Sequence, residues 1–135
     1  MVAPDTPDEQ RPWNRNRGMT DIEFKKEVAA WGANEQLFSP ATWDLYRGVL
    51  RADYSMFDEY EWTHPGWTMS VPVLAMYGSQ DTRCTADLVD GWRRTTTGPF
   101  KLLRVAGPHL FALDPSHRAK WLSQCVQWLE AEAKL

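Results

Sequence analysis

Two residues in this chain have the types and spacing that acid–base chemistry needs, Asp81 and His109, 28 positions apart. Asp81 follows a short apolar run, Val71-Pro72-Val73-Leu74-Ala75-Met76-Tyr77, that stops at Gly78-Ser79-Gln80. His109 follows a second run, Phe100-Lys101-Leu102-Leu103-Arg104-Val105, that stops at Ala106-Gly107-Pro108. Between the runs lies a helix-like segment carrying Leu88, Val89 and Trp92 at three- and four-residue steps. Strand, helix and strand of this length form a right-handed parallel crossover, which leaves both strand ends on one edge of the sheet. Open α/β sheets place their chemistry at that edge. A carboxylate there can hold an imidazole in the tautomer that a general base requires. Each residue taken singly has a blander reading, since Asp after Gly is ordinary turn chemistry. Asp87, Asp90 and Asp114 fall in or beside helices, and His64 and His117 read as surface residues.

The nucleophile that such a pair would serve is not evident. A hydrolase elbow is Gly-x-Ser-x-Gly between strand and helix, and Ser39, Ser55, Ser70, Ser79, Ser116 and Ser123 all lack that frame. Cys84 is close to Asp81 in sequence, but a nucleophilic thiol needs a nearby base and a lowered pKa. Cys84 and Cys125 make neither a disulfide framework nor a metal-ligand spacing, so no metal or cofactor is expected and a reducing cytoplasm is the default.

The elements that must position the pair can be read along the chain. At 135 residues one domain is expected. Residues 1–18, with Pro4, Pro7, Pro12 and Gly18, read as a flexible tail. Residues 19–64 read as a helical, lid-like region. Thr20-Asp21-Ile22-Glu23 fits a capping box, and Gly32 is a plausible stop. Ser39-Pro40 opens a second helix, in which Gly48 predicts a bend or break. On that helix Trp43, Tyr46, Leu50, Tyr54 and Phe57 share one face, which is either core or one wall of an acyl-binding cleft. Residues 65–135 then give strand, helix, strand and helix, with Thr85 as a cap for the crossover helix. The buried face of the last helix is expected at Leu122, Cys125 and Leu129. A net charge of −3 argues against nucleic acid as a partner, and no apolar run approaches the ~20 residues of a membrane helix.

Taken together, Val71 to Asp81, the Trp92-Arg-x-x-Thr96-x-Gly98-x-Phe100 segment and Gly107-Pro-His109-Leu-Phe111 resemble the C-terminal half of a type II thioesterase. The stretches Met19-Thr-Asp-Ile-Glu-Phe24 and Val49-Leu-Arg-Ala-Asp-Tyr54 resemble the helical lid of those enzymes. The resemblance covers about residues 18 to 130. It implies an α/β fold, a partial α/β-hydrolase made of the lid, the last two parallel strands and their helices. It also implies hydrolysis of acyl groups on the phosphopantetheine of carrier proteins in polyketide, nonribosomal-peptide or fatty-acid synthesis. By position, Asp81 would be the triad acid and His109 the triad base. Acyl contacts are expected at Leu50, Tyr54, Phe57, Leu110 and Phe111, and carrier docking at Arg93, Arg94, Lys101 and Arg104. The serine half of the family has no counterpart in these 135 residues. The chain is therefore expected to be inactive alone, with an N-terminal hydrolase half as a partner. The alternatives are a non-catalytic module that binds acyl chains or carrier proteins, and an oxygen-ester hydrolase of the same fold.

Overall fold

A computed structural model describes residues 2–133. The chain divides into two compact units, Arg11–Glu61 and Met1–Gln10 with Trp62–Leu135. Among the described residues, no helix is long and apolar enough to cross a membrane.

The Arg11–Glu61 unit is helical. Helix α1 (Asp21–Ala30) starts in a complete capping box: the Thr20 hydroxyl receives the Glu23 amide, and the Glu23 carboxylate receives the Thr20 amide. It ends at Gly32, whose φ of +85° is comfortable only for glycine. Helix α2 (Pro40–Asp58) starts at Ser39, with proline in its first turn. It runs through Gly48 without the expected break, since a lone exposed glycine raises a helix's free energy without removing a hydrogen bond. Phe24, Val28 and Trp43 form the core, with Met19, Leu37, Phe38, Leu50 and Tyr54 packed around them. Phe24 meets Tyr54 edge to face at 5.3 Å, and Trp31 meets Phe57 in the same way at 5.9 Å. Asn16 ties the start of the unit to its end, its backbone and side-chain amides both donating to Asp58.

The second unit holds the sheet. Strands β1 (Val73–Gly78) and β2 (Phe100–Val105) pair in parallel, with Val73 opposite Phe100 and Gly78 opposite Val105. Their connection is a short helix, α3 (Ala86–Asp90), continued by a 3-10 turn over Gly91–Thr95. Thr85 stands at the cap position of α3, but its side chain makes no capping hydrogen bond.

Two expectations change in this unit. The N-terminal residues, expected to be a tail, are packed: Val2, Ala3 and Thr6 are buried, and the Ala3 amide donates to the Leu88 carbonyl. Asp5 forms a two-pronged ion pair with Arg94, which holds its carboxyl below the usual carboxylate range. Composition hid this, because the buried groups are small and scattered. The last helix, α4 (Pro115–Ala133), buries Trp128 and partly buries Trp121 and Cys125, while Leu122, Val126 and Leu129 are exposed. Both stripes are apolar at helical spacing, so periodicity alone could not choose between them.

The core of the helical unit gives a direct test. Phe24→Ala should lower stability toward urea by about 3–5 kcal/mol. Leu45→Ala, on the exposed face of α2, should change it by less than about 0.5 kcal/mol. Equal effects would mean that the helical core is placed wrongly.

Candidate active site

Gly78, the last residue of β1, lies where the two loops leaving the sheet come closest. A Cβ at this position would stand 2.3 Å from the Pro108 carbonyl oxygen and 2.6 Å from that of Gly107. Only glycine lets the second loop lie against the end of β1. Backbone bonds then lace the loops together, Ser79 amide to Val105 carbonyl at 2.7 Å and Gln80 amide to Gly107 carbonyl at 2.9 Å. Gly107 takes a φ of +124°, turning the chain so that His109 points back toward β1.

The acid and the histidine meet. His109 Nδ1 lies 2.8 Å from Asp81 Oδ2, with the Asp81 side chain 3% exposed and the His109 ring 24%. The other carboxylate oxygen, Oδ1, accepts from the amides of Arg83 and Cys84, both at 2.8 Å. The carboxylate thus has three donors, which offsets the cost of burying it and fixes its plane. With a proton on Nδ1 donating to Asp81, the ring carries its basic lone pair on Nε2.

The local turn also brings Cys84 to the pair. One ligating atom from each of Asp81, Cys84 and His109 lies within 4.8 Å of the others. No cysteine–histidine spacing in the chain suggests such a cluster. The signal available was Asp-x-x-Cys, a turn in which the aspartate caps the cysteine's own amide. Cys84 is buried, and burial pushes its thiol up, with the Asp81 charge adding to the effect. That is the opposite of what an activated nucleophile needs.

The remaining expected residues fall in different settings. Leu50, Tyr54 and Phe57 are partly buried in the helical unit, with Leu50 and Tyr54 against the Phe24 core and Phe57 against Trp13 and Trp31. Phe111 is buried edge to face with Trp121, and Leu110 beside it is exposed. Arg93 pairs with Asp90 and lies over the Phe100 ring, and Arg94 pairs with Asp5. Lys101 and Arg104 are exposed on β2.

Comparison with known proteins adds a lineage to this geometry. No protein-family model matches the chain. The thioesterase PikA5 of Streptomyces venezuelae is 35% identical over 102 residues, covering 73% of this chain and 36% of PikA5. RedJ, a thioesterase of the prodiginine biosynthetic pathway in Streptomyces coelicolor, is 25% identical with a TM-score of 0.75, over 92% of this chain and 48% of RedJ. BorB, a type II thioesterase from the borrelidin cluster, is 28% identical with a TM-score of 0.66, over 93% of this chain and 50% of BorB. The chain thus spans about half the length of the structures it matches. Over almost all of its own length it is similar to type II thioesterases, and its fold is part of an α/β-hydrolase.

The tautomer can be read directly from the ring nitrogens. Nitrogen-15 spectra of the chain should show His109 protonated on Nδ1. Asp81→Asn can still accept from the two amides but presents an NH₂ to the ring, so the proton should move to Nε2. An unchanged tautomer in that variant would mean that Asp81 does not orient the ring.

Proposed function

We propose that this chain supplies the acid and base of a thioesterase that releases acyl groups from carrier-protein phosphopantetheine in polyketide, nonribosomal-peptide or fatty-acid synthesis. The observation that carries the reading is the 2.8 Å Asp81–His109 bond, formed just beyond neighbouring parallel strands in a chain similar to thioesterases over nearly all its length.

In this reading a serine hydroxyl from a Gly-x-Ser-x-Gly segment gives its proton to His109 Nε2 as its oxygen attacks the thioester carbonyl. The carbon–sulfur bond breaks, and the leaving pantetheine thiolate takes that proton from the imidazolium. Water then hydrolyses the acyl-enzyme with His109 again as base, releasing the acid and restoring the serine. Asp81 keeps its charge throughout and stabilises the transient imidazolium. The serine would come from a hydrolase half containing that segment, as a partner or as further sequence. The 135 residues alone would be inactive.

Lys101 and Arg104 are exposed on opposite faces of β2, and either one suits the anionic phosphate of the carrier's arm. Arg93 and Arg94 would contribute less, since each already has an acidic partner. The lack of a Gly-x-Ser-x-Gly frame also supports a second reading, a module that binds acyl chains or carrier proteins without turnover.

The test is hydrolysis of acyl-pantetheine and of acyl-carrier protein by the chain mixed with, or fused to, a serine-bearing hydrolase half. Turnover should appear only in the combination and prefer thioesters over oxygen esters. It should fall at least ~10²-fold in His109→Ala. Hydrolysis that survives His109→Ala would remove the histidine from its assigned role. Saturable carrier binding without turnover in any combination would favour the module.

A further inference from the structure

We propose that Asp81, Cys84 and His109 form a binding site for a thiophilic divalent ion, with Zn²⁺ as the best-fitting choice. The three side chains offer one oxygen, one sulfur and one nitrogen, all within 4.8 Å of one another. Thiolate with imidazole selects Zn²⁺ over the oxygen-seeking Mg²⁺ and Ca²⁺.

Tetrahedral zinc bonds of about 2.0 Å to nitrogen and oxygen and 2.3 Å to sulfur set the ligand atoms roughly 3.3–3.6 Å apart. The 2.8 Å between Asp81 Oδ2 and His109 Nδ1 must therefore open by about half an ångström. The Cys84 sulfur lies within 4.8 Å of a ligand atom of each of the other two residues and must close by up to about 1.3 Å. A small rotation of the His109 ring accomplishes much of the first change. The loops themselves stay laced by the Gln80–Gly107 and Ser79–Val105 bonds.

The carboxylate is already fixed on its far side. Asp81 Oδ1 is held by the Arg83 and Cys84 amides, leaving Oδ2 to face the ion. Cys84 and the Asp81 side chain are each 3% exposed, so the ion enters past His109, which is 24% exposed. A water molecule on that side completes four-coordination.

The protons balance simply. Cys84 releases its thiol proton to solvent as sulfur binds the ion. The ring proton leaves Nδ1 and reappears on Nε2, so the imidazole stays neutral. One proton is released per ion bound.

The binding claim rests on the three side chains and not on the thioesterase reading, and its test involves no turnover. The reduced, metal-free chain is titrated with Zn²⁺ against a chromophoric chelator, and with Co²⁺ as a spectroscopic substitute. One ion per chain is expected, with a thiolate-to-cobalt charge-transfer band in the near ultraviolet. Cys84→Ser should abolish that band, and Cys84→Ser and His109→Gln should each weaken Zn²⁺ binding at least ~10-fold. Absence of the band in the native chain would overturn the proposal. So would Zn²⁺ affinity unchanged in both variants, which would place the ion elsewhere, for instance at His117 and Asp114. If circular dichroism shows Cys84→Ser to be unfolded, the partly exposed His109→Gln decides the matter.

Discussion

The register of β1 against β2 is the constraint on which the site depends. Gly78 stands opposite Val105, so the two strands end level and their loops begin at the same height. A slip of one residue would displace one loop by about 3.3 Å along the strand. A hydrogen bond of 2.8 Å tolerates a few tenths of an ångström, so the Asp81–His109 bond exists in one register only. The bare α-carbon of Gly78 protects that register, because any side chain there would drive the 107–108 backbone away.

This explains why the meeting of Asp81 and His109 was legible in the sequence. The pairing follows from topology: two apolar runs, a crossover of suitable length and the fixed hand of parallel connections. The thioesterase likeness of the Trp92–Phe100 segment pointed the same way, and the relatives bear it out. Caps were equally readable at Thr20 and Ser39, where the side chain satisfies amides a few residues away. Such rules need only local sequence.

What failed to be legible depends on contacts between distant segments. Val2 and Ala3 look like an unstructured start until Leu88 and Gly91 are placed beside Ala3. The choice between the Trp128 and Leu129 faces of α4 rests on which one meets the sheet, and the Cys125 sulfur, 3.6 Å from that of Met76, marks the answer. Cys84 joins the acid and the histidine because Asp81 folds the chain back onto its own turn, a three-residue effect that spacing rules for metal ligands do not include. The aromatic stripe of α2 fits core and cleft wall alike in sequence. Leu50, Tyr54 and Phe57 are partly buried among the aromatic rings of their own unit, an arrangement that fits either role.

The two oxygens of Asp81 do separate work, and the division bears on what the pair is for. Oδ1 fastens the turn from 81 to 84, which would justify an aspartate here in any protein with this loop. Oδ2 does nothing for that turn. Its partner is a ring one-quarter open to solvent, which contributes little apolar burial. A structural role therefore accounts for the acid but leaves the histidine unexplained, together with the glycine at 78 and the left-handed turn at 107 that bring it into place. What these features deliver jointly is an oriented imidazole at the edge of a parallel sheet, the arrangement from which the proposed proton transfer starts.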